Sequence, residues 1–180
     1  VGNITDPVAT HTFGTRHLFG RLDQQEVSAV VRVNWTFTPK LSLQVFIQPL
    51  ISVGTYDDFK ELRQPSTYSF NRYGESGSSV QPGVDADGNP VYNVTTSSAA
   101  SFTFSNPDFN YKSFRGNAVL RWEYMPGSTL FFAWTHGRQD FRNPGEFLFR
   151  RDFGDLFRTE PDNVFLVKIA YWLTPSAIGL

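Results

Sequence analysis

Residues 27–37 alternate strictly in character. Val27, Ala29, Val31, Val33, Trp35 and Phe37 are apolar, while Ser28, Arg32, Asn34 and Thr36 between them are polar, Val30 being the one exception. A period of two puts one greasy and one wet face on a β-strand. The run ends in Thr38-Pro39-Lys40, and Leu41 opens a second run of similar length. Strands of this length, with aromatics just before a tight turn, point to a sheet that faces lipid rather than one that covers a core.

Composition agrees with strands. Aromatics make up 16% of the 180 residues and charged residues 18%, and there are 14 Gly and 11 Pro. A helical bundle would be richer in Leu, Ala and Glu. The net charge of −1 gives no general attraction to nucleic acid, which is not expected as a partner. Cysteine is absent, so neither disulfides nor thiolate metal sites can form. No stretch approaches the ~20 apolar residues of a membrane-spanning helix. A barrel strand escapes that test because half its residues are polar. Val1-Gly2-Asn3-Ile4 lacks the basic start and apolar centre of an export signal, so the expectation is a processed chain or the downstream part of a longer one.

The pattern predicts about six long strands. They cover Thr10 to Leu22, Glu26 to Phe37, Leu41 to Val53, Tyr111 to Met125, Ser128 to Gln139 and Asn163 to Leu173. Asp23-Gln24-Gln25 reads as a polar link between the first two. Thr38-Pro39-Lys40 and Pro126-Gly127 read as tight turns. Pro49 suggests a bulge or a local loss of pairing. The stretches 54–108 and 140–162 read as long external loops. Within the first, Asp85 to Pro90 marks a turn capping a small hairpin between Val80 and Val94. Within the second, Arg150 to Arg158 reads as a short helix with Phe153, Leu156 and Phe157 on one side. The whole chain, 1–180, is expected to be one all-β, antiparallel, up-and-down transmembrane β-barrel segment.

Outer-membrane barrels have short periplasmic turns and longer external loops, which this alternation fits. Trp35 and Phe37 precede one tight turn, Trp122 and Tyr124 precede the other, and Tyr171 and Trp172 close the last strand. All six would lie at one level, as an interfacial aromatic girdle requires. The polar set Arg32, Asn34, Gln44, Gln48, Arg115, Asn117, Arg121, Glu123 and Lys168 would then face the lumen, because a charge facing mid-membrane lipid costs about 2–4 kcal/mol. Such residues could set solute preference or simply pair and fill the barrel. Closed bacterial barrels start at about eight strands. Further strands of the same protein, or partner chains, are therefore expected to complete the wall.

The run from Leu22 through Arg32-Val33-Asn34-Trp35-Thr36-Phe37-Thr38-Pro39-Lys40-Leu41 to Gln44, then Gln48 to Ser52 and Tyr56 to Leu62, and the closing Pro161 to Leu173 resemble a known pattern. They are similar to the C-terminal end of a poorly characterised family of large envelope proteins of Gram-negative bacteria. Members carry a family-9-like carbohydrate-binding module near the N-terminus and a long β-rich domain of unknown function behind it. The resemblance implies a bacterial outer-membrane location and the last part of a bigger barrel. That module is not in this chain, so its sugar binding transfers to no residue here.

Little else carries chemistry. His11 and His17, if on one strand face, would stand ~20 Å apart, too far to share a metal. Asp85, Asp87 and Asn89 mimic the start of a calcium loop, but its twelfth position falls on Thr96 and not on a glutamate. No metal and no cofactor is expected. Glu146, Asp152 and Asp155 could be carboxylates for glycoside cleavage, or could solvate a loop. Tyr56, Phe59, Tyr68, Phe70 and Tyr73 could stack on sugars or pack on one another. The expected function is non-enzymatic: an outer-membrane component acting as pore, receptor or assembly scaffold, with lipid as its surroundings. The alternatives are a soluble β-sandwich carbohydrate-binding module and a surface hydrolase with carboxylates in its loops.

Overall fold

The computed structural model describes residues 1–173. Eleven strands and one α-helix follow one another: β1 (Gly2–Thr5), β2 (Thr15–Ser28), β3 (Val31–Thr38), β4 (Leu41–Leu62), β5 (Phe70–Arg72), β6 (Ser79–Val84), β7 (Pro90–Thr95), β8 (Ser101–Ser105), β9 (Phe109–Met125), β10 (Ser128–Asp140), α1 (Phe149–Arg158) and β11 (Asp162–Ala170). One sheet has the order β1-β2-β4-β9-β10-β11, with β3 and β5 also paired to β4; β6, β7 and β8 form a second. The chain is all-β, and the pairings with a described register are antiparallel. Contacts divide it into two compact units, 1–24 with 54–109 and 25–53 with 110–180.

In the first unit the core is Leu18, Phe59, Tyr73, Val94 and Phe104. The Phe59 ring lies 4.7 Å from Tyr92 and 5.1 Å from Phe104. The first pair is tilted and the second edge-on, and aromatic pairs of this kind add stability beyond their buried area. The stretch 54–108, expected as a loop, is therefore largely built. Its first residues extend β4, and β5 to β8 follow. The anticipated hairpin is present, with Val80 opposite Val94. Asp85 caps its turn by accepting from the backbone N–H groups of Asp87 and Asn89, an Asx turn rather than a cation loop.

Arg16, 4% exposed, bridges Asp6 and Glu61, each at 2.6 Å. Hydrogen bonds from Arg16 and then from the Val8 N–H hold the Asp6 carboxyl below its ordinary range. Its contribution to stability is thus complete above the unfolded value of about 3.9 and fades as pH falls through the lower folded value. Protection of the amides over residues 1–15, taken relative to the intrinsic exchange rate at each pH, should fall on acidification below about pH 4. In Asp6→Asn the same amides should exchange faster already at pH 7, and that acid step should shrink.

In the second unit β3 and β4 form a hairpin, as do β9 and β10, and β11 pairs with β10. The tight turns fall where the sequence placed them, with Gly127 at φ +78°, a value that favours glycine. The expected link at 23–25 is not a connection. Asp23, Gln24 and Gln25 lie inside β2, which continues to Ser28. The real interruption is Ala29-Val30, where the Ala29 N–H reaches the carbonyl of Pro49. Proline offers no N–H to its neighbour, so the break anticipated at Pro49 appears in the strand beside it. The boundary between the first two expected strands thus moves from 23–25 to 29–30, and among the described residues six strands, β2, β3, β4, β9, β10 and β11, are long.

Candidate functional site

The second unit sorts its side chains onto two faces, and the register defines them. Val31 lies opposite Ile47, Val33 opposite Val45 and Trp35 opposite Leu43. On the other strands, Leu120 lies opposite Phe132 and Phe132 opposite Val167; Ala118, Trp134 and Phe165 make the next row, and Trp122, Leu130 and Ile169 the row on the other side. A groove lined by Val45, Ile47, Gly116, Ala118 and Trp134 joins the two hairpins on this same face. Many of these residues are open. Val31 is 47% exposed, Trp35 59%, Trp122 47%, Phe165 63%, Val167 60% and Ile169 67%. Soluble monomers rarely expose a continuous apolar patch beyond about 300–600 Å².

The apolar band has a lower and an upper limit. Along β9 it runs from Trp122 to Phe114, nine residues or ~27 Å along the strand, which is roughly 20 Å of height at the ~35–45° tilt of barrel strands. Beyond Phe114 the same face turns polar with Lys112 and Asn110, and on β10 and β11 it turns polar earlier, at His136 and Asn163 in the row of Gly116, with Arg138 and Asp140 following. A barrel's apolar belt is ~25 Å tall.

The opposite face carries the polar set named from sequence. Arg32 lies opposite Phe46 and its guanidinium sits 5.4 Å from that ring centre. This explains why an aromatic interrupts the polar side of β4: it is a platform for a cation. Asn34 faces Gln44. Arg121 and Glu123 approach to 3.6 Å, and Asn117 shares a 2.8 Å hydrogen bond with Thr135. Lys168 shares a row with Arg121 and Phe131. Gln48 is half-buried and Arg115 exposed, opposite Gly137. The face is mixed on the last two strands, where Ala133 and Leu166 also occupy it.

The six named aromatics gather at one end of the sheet. Trp35 and Phe37 stack at 5.1 Å, and Trp122 and Tyr124 lie 6.1 Å apart. The Glu123 N–H donates to the Lys40 carbonyl, tying the first turn to the strand end beside the second. The Trp172 N–H donates to Ser128 Oγ at 3.0 Å, so Tyr171 and Trp172 reach the same end.

The opposite end of the apolar face is covered by α1, an arrangement with no visible signature in the sequence. Lys112, fully buried, donates to Asp140 Oδ2 at 2.8 Å and to the Arg142 carbonyl at 2.7 Å, and stands 4.0 Å from Asp152 of the helix. Asp152 accepts from the Leu148 N–H and from Asn110 Nδ2. The three candidate carboxylates are therefore engaged. Asp152 anchors the helix start, Asp155 accepts from Asn143, and Glu146 pairs with Arg151 at 2.7 Å. Among the loop aromatics, Phe59 and Tyr73 are core residues, while Tyr68 is 99% exposed. His11 lies in a 3₁₀ turn instead of a strand, and among the described residues no cluster of His, Asp and Glu could hold a metal.

An antiparallel all-β protein with one apolar and one polar face on its long strands is the class these observations define. The chain belongs to the family described as a domain of unknown function, DUF5916, whose model matches residues 5–178. No curated protein and no solved structure matches it.

Proposed function

We propose that this chain forms part of the wall of an outer-membrane β-barrel and serves there as a pore, receptor or assembly scaffold without catalysing a reaction. The observation that carries the reading is the apolar band across β3, β4, β9, β10 and β11, open on β3 and β11 and half-buried on the strands between, bounded at one end by Trp and Tyr and at the other by a polar margin. In water such a band would drive association; in a bilayer it is the required surface. The polar set then lines an aqueous interior, where Arg32, Arg115, Arg121 and Lys168 outnumber Glu123 and would favour anionic solutes. Among the described residues β11 is paired only to β10, and an open edge in lipid costs several kcal/mol per unpaired group. Further strands of the same protein or of partner chains therefore close the wall. The envelope proteins that the sequence resembles fit this role, and any sugar would be met by their separate carbohydrate module.

Fractionation of Gram-negative cells making the full-length protein tests the proposal. The protein should sediment with outer membranes, need detergent for release, and migrate differently on gels before and after boiling. Recovery in the soluble fraction without detergent would refute it.

A further inference from the structure

We propose that α1 lies along the membrane–water boundary at the end of the sheet away from the tight turns, with Phe149, Phe153 and Phe157 seated among lipid acyl chains. This rests on the membrane reading above and extends it to an element outside the strands. The helix is inside out for a protein in water. Its buried residues are Asp152, Asp155 and Leu156. Its three phenylalanines, four residues apart, form an outward ridge with ring centres 5.9 and 4.9 Å apart, and they are 52%, 40% and 42% exposed. A surface helix in water turns its apolar stripe toward the core and its charges outward.

Position names the occupant. Phe157 meets Phe114, the last apolar residue of β9, at 5.3 Å, and Phe149 and Phe153 line a groove with Pro49 and Ile51. The ridge thus continues the apolar band at its margin, while the next residues on that face, Lys112 and Asp140, sit buried beside the helix. Arg150 and Arg158 are exposed on the same helix, which suits the anionic headgroups above a layer of acyl chains. Interfacial helices lie with their apolar face about 5–10 Å into the acyl boundary. Lipid, rather than a protein partner, matches both the continuity and the charge.

The chain contains no cysteine, so a cysteine introduced here is the one labelling site within these 180 residues. Nitroxide would be attached in Phe153→Cys, Phe149→Cys, Arg150→Cys and Val167→Cys variants of the full-length protein, reconstituted in phosphatidylcholine–phosphatidylglycerol vesicles. Collisions with oxygen, which concentrates in lipid, would be compared with collisions with a water-soluble nickel chelate. Labels at 149, 153 and 167 should favour oxygen, and the label at 150 should favour nickel. Nickel access at 149 and 153 equal to that at 150, with 167 still in lipid, would overturn the helix proposal and leave the barrel standing. Shielding of 149 and 153 from both reagents would also overturn it, by showing a protein cover. Nickel access at 167 would overturn the membrane reading itself.

Discussion

Val167→Arg is expected to destabilise the folded protein in membranes by about 2–4 kcal/mol, the cost of a cation facing lipid near the middle of a barrel wall. Leu166→Arg, one residue away on the other face, should cost much less. The two sites are equally open, at 60% exposed each. In a water-soluble protein both substitutions would fall within about 0.5 kcal/mol of neutral, because exposed surface sites tolerate change. Exposure therefore cannot distinguish them; only the medium on each side of the sheet can. The register puts Val167 in the row with Phe132 and Leu120, and Leu166 in the row with Ala133 and Val119. Reversible urea unfolding from vesicles would give both values, and equal small effects would contradict a lipid-facing row.

Asp140→Ala should cost about 3–5 kcal/mol, because it leaves the Lys112 ammonium buried without its closest carboxylate. Lys112 would keep only the Arg142 carbonyl and a distant Asp152. The reverse change, Lys112→Met, should cost less. Asp140 would retain Arg142 at 2.6 Å, and Asp152 would retain Arg151 and the Leu148 N–H. The methionine chain also suits the volume left behind. Unfolding curves of both variants test the asymmetry, and faster amide exchange over α1 in Asp140→Ala would locate the damage. Equal losses would mean that the ion pair is not the principal partner of either group.

What the sequence made legible follows from local rules. The faces of β3, β4 and β9 could be assigned because alternation is local and the register preserves it. The turns at Thr38-Pro39-Lys40 and Pro126-Gly127 and the hairpin from Val80 to Val94 carried turn residues. The helix was found to within one residue because Phe153, Leu156 and Phe157 follow its period. The structure adds that Leu156 is buried while its two neighbours on that side are exposed. Asp23-Gln24-Gln25 has the polarity of a link but no Gly or Pro to turn the chain, so β2 runs through it. The strands within 54–108 are short and interrupted, as by Pro82 and Gly83 in β6, so they show no sustained period. The Lys112 cluster draws on β9, β10 and α1, residues far apart in the chain, and no local pattern announces it. Asp152 shows the same limit: three carboxylates within ten residues invite a catalytic reading until their partners are known.

A cysteine scan of Phe165 to Ile169 with a charged, water-soluble maleimide, on the protein in intact outer membranes, separates an oily surrounding from a watery one most directly. Residues 166 and 168 should label and residues 165, 167 and 169 should resist, switching at every step along β11. Uniform labelling at all five positions, or an inverted pattern, would contradict a wall with hydrocarbon on one side and water on the other.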